Sequence, residues 1–257
     1  RQQRRDGKWF GFDIQTLARK RGKYLDKGQF KAQYYNDPSD PDNVPVGREK
    51  IQYFDRKHLK LDNGFWYYKD NKLNLFSAID FAFSLRSKAD YTALVLVGVD
   101  AENNVYVLDI DRFKTDRISD YFEHIFDMHT KWSFRKLRAE VSVAQMAIVK
   151  QLKDLIKQHG LSLSIEEFRP NKNQGNKQER IASVLEPRYD NLQMWHYRGG
   201  NTQYLEDELS SRNPAHDDVI DALASAVDMA VRPTRSLNRK RENNIVWANS
   251  RFRAGSR

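Results

Sequence analysis

Cysteine is absent from the 257 residues, which removes disulfide frameworks, thiolate metal sites and cysteine nucleophiles together. No apolar stretch approaches the roughly 18–20 residues that a membrane-spanning helix needs, and the mean hydropathy of −0.82 agrees. The opening Arg1-Gln2-Gln3-Arg4-Arg5 lacks the apolar segment of a secretory signal. A Gly-x-x-x-x-Gly-Lys-Ser/Thr loop is also missing, so the chain carries no phosphate cradle of that nucleotide-binding kind. No internal repeat is visible. Acidic residues are in deficit: 35 Asp and Glu stand against 44 Lys and Arg, a formal charge of +9. What is present is a hydrophobic fraction of 39% with 12% aromatics, enough for a core and too much for wholesale disorder. A basic protein of this composition meets a polyanion, with nucleic acid the leading candidate.

The chain starts without methionine and with a charged run, and it reads as a segment of a longer polypeptide. Residues 1–70 read as an extension dense in aromatics: Phe30, Tyr34, Tyr35, Tyr53, Phe54, Phe65, Trp66, Tyr67 and Tyr68. Packing against a main domain and stacking on nucleic-acid bases are both open to them. From Leu73 the pattern sharpens. Leu73 to Phe83, Tyr91 to Val99 and Val105 to Ile110 are apolar, β-branched or aromatic runs, and Asp100 to Asn104 is a polar turn. They predict an antiparallel three-strand meander. A helix is expected over Ile118 to Met128, a short strand over Leu137 to Val141, and an amphipathic helix from Ala144 to His159 stopped by Gly160. A strand over Leu161 to Phe168, a short helix after the polar loop 171–177, a strand over Leu192 to Trp195 and a last helix from Asn213 to Val231 complete an α/β order spanning 71–231. Residues 232–257 carry eight Lys or Arg against the single acid Glu242 and read as a flexible basic tail.

Three acidic positions stand out. Asp80 lies inside Leu75-Phe76-Ser77-Ala78-Ile79-Asp80-Phe81-Ala82-Phe83, where a charge is costly to bury without a partner. Glu140 lies at the end of the predicted strand Leu137 to Val141, where ligand sites of α/β sheets gather. The third position is the start of the last helix, with Asn213 as its expected N-cap and Pro214 in its first turn. Helical spacing puts Val219, Ala222, Leu223, Ala226, Val227 and Ala230 on one apolar face; Asp217 and Asp221 then point away from it, and Asp218 sits on its flank. Carboxylates clustered from two strands and a helix need cations, and with all-oxygen ligands the natural ions are Mg²⁺ or Mn²⁺. Two such ions roughly 4 Å apart activate water and stabilise the leaving oxygen of a phosphodiester.

From Phe76 to Val231 the chain resembles the C-terminal nuclease domain of the large terminase subunit of tailed bacteriophages. The resemblance rests on Ala78-Ile79-Asp80-Phe81-Ala82, on Lys88-Ala89-Asp90-Tyr91-Thr92-Ala93, on Ala139-Glu140, and most specifically on His216-Asp217-Asp218-Val219-Ile220-Asp221-Ala222-Leu223-Ala224-Ser225-Ala226-Val227. Phe30 to Pro38 is similar to the junction between ATPase and nuclease in that family. The resemblance implies a ribonuclease H-like, resolvase-like fold: a mixed β-sheet flanked by helices. It implies catalytic acids at Asp80, Glu140 and the Asp217/Asp218 cluster, and the resolvase-like pair three apart matches Asp218 and Asp221. The helix register favours Asp218 as direct ligand. Asp90 and His216 are accessory candidates. The implied activity is metal-dependent cleavage of concatemeric viral duplex DNA in the host cytoplasm, with two Mg²⁺ or Mn²⁺ ions and no nucleotide bound to this segment. The implied partners are duplex DNA, an ATPase domain of the same polypeptide, the portal protein and the small terminase subunit, with no membrane.

Arg169, Lys172, Lys177 and Arg180 surround a Gly- and Asn-containing loop suited to following a phosphate backbone; Arg86 and Lys88 are similar candidates. A non-catalytic DNA-binding or assembly module and a Holliday-junction-resolvase-like nuclease are the competing readings. A pure binder gains nothing from Asp80 in an apolar strand.

Overall fold

The computed structural model describes residues 2–3, 9–10, 16–17, 20, 46–82, 91–142, 145–169, 177–211, 214 and 216–234. Besides the short antiparallel pair Gln2–Gln3 and Trp9–Phe10, the strands are β1 (Gln52–Phe54), β2 (Leu59–Asp62), β3 (Phe65–Tyr68), β4 (Asn71–Lys72), β5 (Asn74–Asp80), β6 (Thr92–Val99), β7 (Val105–Phe113), β8 (Lys136–Glu140), β9 (Ser164–Phe168) and β10 (Met194–Tyr197). The helices are α1 (Ile118–Trp132), α2 (Met146–Gln158), α3 (Lys177–Asp190), α4 (Thr202–Leu209) and α5 (Asp218–Asp228).

The meander β5–β6–β7 is antiparallel, and β8 then β9 add to the β5 edge in parallel, giving the order β9-β8-β5-β6-β7-β10-β1. This is the ribonuclease H-like arrangement, a mixed sheet with helices on both faces. Strand β6 is buried along its whole length, and the two-residue alternation of a strand divides its side chains between two cores. Ala93, Val95, Val97 and Val99 join Leu185 and Tyr189 of α3 and Val219, Ala222, Leu223 and Ala226 of α5. Leu94 and Leu96 join Tyr121 and Ile125 of α1 and Val149, Leu152 and Ile156 of α2. Each such aliphatic side chain taken from water contributes about 1.5–3 kcal/mol.

The hairpin between β6 and β7 is closed by the buried Asp100. Its Oδ1 accepts from the Glu102 and Asn104 amides at 3.0 and 2.9 Å, and its Oδ2 accepts from Asn104 Nδ2 at 2.8 Å and Tyr106 Oη at 3.1 Å. Four accepted hydrogen bonds satisfy a carboxylate that would otherwise be expensive to bury.

The sheet reaches back before residue 71. β1 pairs in parallel with β10, and Val46, Ile51 and Phe54 lie in the cores, because the outer edge of β10 offers unpaired backbone groups. Residues 59–72 form a separate three-stranded sheet. Its Tyr68 and the nearby Phe54 pack against Tyr106 at 4.9 and 5.4 Å between ring centroids, so these aromatics serve packing. Phe30, Tyr34 and Tyr35 lie outside the described residues, as do residues 235–257 of the basic tail. Helix α4 has no counterpart in the sequence reading. The last helix starts at Asp218 rather than near Asn213: Pro214 is not helical, and Asp217 holds the N-cap position. Among the described residues no helix is long and apolar enough to cross a membrane.

Candidate active site

Register brings the first two acids together. Ile79 of β5 pairs with Ala139 of β8, so Asp80 and Glu140 end adjacent parallel strands side by side. Ala78, two residues before Asp80, packs in the core shared with α5. Arg138, two residues before Glu140, reaches the Ser225 carbonyl at 3.5 Å and Asp228 at 2.5 Å on that helix. By strand alternation both acids face α5.

Helix α5 approaches closely because Ala222 and Ala226 present almost no side chain to the sheet, and both are buried. Its start is held from outside. Glu208 of α4 accepts a hydrogen bond from the Ile220 amide at 2.9 Å, satisfying one of the free N–H groups of the first turn. Asp218 accepts from the Tyr91 amide at 3.0 Å and lies 3.7 Å from Arg112 Nη2. The Arg112 guanidinium in turn sits 3.9 Å over the Tyr91 ring and 4.9 Å from that of Tyr204. Burial pushes the Glu208 carboxyl up to about 8 against the Ile220 amide and Arg112.

The helix acids do not divide as the helical wheel predicts. Asp218 and Asp221 are both buried, at 3% and 4% exposure, and Asp221 is not turned to solvent. The reason is that α3 packs beside α5 on the same face of the sheet, so the flank of α5 that carries Asp221 meets α3 and the ends of β5 and β8 rather than water. Asp221 meets two cations there. Lys177 Nζ lies 2.9 Å from its Oδ2, and Arg180 Nη2 lies 3.1 Å from its Oδ1. Arg180 Nη2 also donates to Glu140 Oε2 at 2.9 Å, and Lys177 Nζ lies 3.3 Å from Asp217, which is half exposed. Partial burial works against the Lys177 ammonium, but Asp221, Asp217 and Asp80 outweigh it and hold its proton above the ordinary lysine range.

Asp80 feels all of this. Burial first, then the negative charges of Asp221, Glu140 and Asp218, push its carboxyl up to about 8, with Lys177 opposing. Of the helix acids it is therefore Asp221, rather than the Asp218 favoured by the register, that acts most strongly on Asp80. The structure thus gathers Asp80, Glu140, Asp218 and Asp221, with Asp217 at the rim. His216 Nδ1 lies 3.9 Å from Asp218 and its ring meets Tyr91 edge-on at 5.1 Å. Arg169 is exposed at the end of β9, 3.8 Å from Glu167. Arg86, Lys88, Asp90, Lys172 and Asn213 lie outside the described residues. Sequence reading missed Arg112 and Glu208, whose only local signal is an ionisable residue at an inward position of a strand and of a helix.

The donor set suits a hard dication: four carboxylates, all oxygen, with an excess of negative charge that raises Asp80. Among the described residues, however, no three potential ligands are gathered at metal-holding distance. The cations of α3 are bonded to the same oxygens instead. Beside them, a cavity of about 230 Å³ is lined by Arg138, Phe168, Arg180, Ser183, Ala224 and Asp228.

No family model and no curated protein matches the chain. Solved structures do. The chain is similar to the large terminase nuclease from thermophilic phage G20c, with 16% identity and a TM-score of 0.46 over 70% of this chain and 93% of that one. It is similar to RuvC of T. thermophilus in complex with Holliday junction substrate, with 12% identity and a TM-score of 0.35 over 60% and 90% of the two chains. Fowlpox virus resolvase in complex with substrate Holliday junction DNA gives 11% identity and a TM-score of 0.39 over 59% and 95%.

Proposed function

We propose that the chain is a metal-dependent DNA endonuclease that cleaves concatemeric viral duplex DNA during packaging by a terminase motor. The observation that carries the reading is Asp80, held at the end of a buried strand against three further carboxylates and pushed up to about 8. A binding module has no use for so costly a cluster. Asp80, Glu140, Asp218 and Asp221 are the residues that would hold divalent metal, with Asp217 in reserve at the rim. Mg²⁺ or Mn²⁺ bound there supplies charge stabilisation and a water of lowered pKa for phosphodiester hydrolysis.

The chain's own groups do the rest. Lys177 and Arg180 offer cations at the site itself, Arg169 is an exposed cation at the end of β9, and Lys172, Arg86 and Lys88, outside the described residues, are kept as candidate phosphate contacts. Such contacts grip without reading sequence. Arg112 and Glu208 fix the start of α5, which orients Asp218. His216, close to Asp218, is placed to orient that acid or the phosphate, and Asp90 is retained as an accessory candidate. The motifs Ala78 to Ala82, Ala139-Glu140 and His216 to Val227 support the terminase assignment within this chemistry. That assignment brings with it an ATPase domain of the same polypeptide, the portal, the small subunit and the host cytoplasm.

A plasmid assay tests the reading. The chain is expected to nick and then linearise supercoiled DNA in Mg²⁺ or Mn²⁺ without ATP, and to stop in excess EDTA. Equal cleavage in EDTA would refute the metal-dependent reading. A strong preference for four-way junctions over linear duplex would turn the assignment toward a resolvase.

A further inference from the structure

Lys177 and Arg180 stand, in charge and in place, where divalent metal would have to act. Asp221 commits one carboxylate oxygen to each of them, at 2.9 and 3.1 Å, and Glu140 commits Oε2 to Arg180 at 2.9 Å. Among the described residues no group of three potential ligands is assembled beside these pairs. A dication on Asp221 and Glu140 would sit beside an ammonium and a guanidinium in a site partly shielded from water, where like charges repel far more than in bulk solvent. The two arrangements exclude each other.

We propose that Lys177 and Arg180 are an exchangeable counter-ion pair. In the free protein they neutralise Asp221 and Glu140; on loading they turn to the substrate phosphate and release the carboxylates to metal. This rests on the nuclease reading and adds to it a coupling between metal and DNA. Both residues belong to the first turn of α3, so they move, or are held, together. The Lys177 side chain is 43% exposed, and its flexible four-carbon stem lets the ammonium swing outward without unfolding the helix. Arg180 is less exposed, at 15%, but it lines the cavity between β8, β9 and α5, which gives its planar fork room to rotate. Each ligand removes the obstacle to the other, and linkage requires the factor to be the same in both directions.

The test titrates Mn²⁺ into DNA-free wild-type protein and into Lys177→Gln and Arg180→Gln by calorimetry, with folding checked by circular dichroism. Lys177→Arg and Arg180→Lys serve as charge-retaining controls. Removing one competing charge is expected to tighten Mn²⁺ binding by about tenfold, while the controls stay within about twofold of wild type. Folded neutral variants that bind Mn²⁺ no more tightly than wild type overturn the exchange. Should the neutral variants fail to fold, the wild type decides the matter by nuclear magnetic resonance of the Lys177 Nζ and Arg180 Nε groups during Mg²⁺ titration. Shifts of both groups that saturate with the metal are expected. Silent side chains, while the Asp80 and Asp221 amides respond, overturn the exchange. Plasmid nicking with unchanged Mn²⁺ affinity in folded variants removes the exchange alone; absence of divalent binding in every form removes the metal-dependent nuclease reading with it.

Discussion

Asp80→Asn removes one charge from the crowded end of β5 and keeps the shape of the side chain. In the native protein Asp80 retains its proton up to about 8, against an ordinary value of 3.8. Between those two values the folded state binds more protons than the unfolded chain. Linkage then makes wild-type stability fall as pH rises from about 4 to about 8 and level off above. About four pKa units at about 1.4 kcal/mol each set a ceiling near 6 kcal/mol. Rotation of the side chain toward water at the strand end relieves part of it, so Asp80→Asn is expected to be more stable than wild type by about 2 kcal/mol at about pH 9. For a domain of this size that is a rise in Tm of about 4–8 °C. At about pH 3 the two proteins should melt within about 2 °C of each other, because Asp80 is then mostly neutral in both states. Thermal melts in EDTA across this range are the assay. A stability difference that does not change with pH, or a variant less stable than wild type at about pH 9, would refute the charge-crowding argument. The same variant is expected to lose nicking by about a thousandfold or more, since it removes a central metal ligand.

Glu208→Ala leaves the Ile220 amide without its acceptor and is expected to cost about 1–2 kcal/mol in urea unfolding. Glu208→Gln keeps an acceptor oxygen and should stay within about 0.5 kcal/mol of wild type; equal losses in both would show that the cap is not what Glu208 provides. Gly98→Ala tests the packing of the meander. A Cβ there would meet Leu108, Leu73 and Leu75 side chains at 3.0, 3.1 and 3.3 Å, an overpacking expected to cost about 1–3 kcal/mol. Gly98 lies at the far end of the sheet from Asp80, so nicking per folded molecule should be unchanged, and a large loss of specific activity would contradict the placement of the site.

The element order was legible in the chain because it depends on local periodicity. The β-branched runs 91–99 and 105–110 must bury both faces or alternate between them, and they do so as β6 and β7. The turn at Asp100 to Asn104 is written in residues that bond one another within a few positions. Asp80 was legible for a related reason: a carboxylate in an apolar strand is conspicuous wherever the strand ends up. The alanines of α5 likewise announce a close approach before any partner is known.

Charge pairing was not legible. Asp221 was read as facing away from the apolar side, but α3 and the ends of β5 and β8 cover that flank and turn a nominal solvent face into a buried ion-pair cluster. Lys177 and Arg180 looked like members of a surface basic loop; their partners are Asp221 for both and Glu140 for Arg180, 40 to 44 residues away in sequence. Arg112 and Glu208 escaped notice because each acts on α5 from another element, Arg112 across 106 residues to Asp218. The period of a segment decides which of its faces is apolar. Which charges neutralise one another depends on distances of a few ångströms between separate elements, and those distances exist only once the layers have packed.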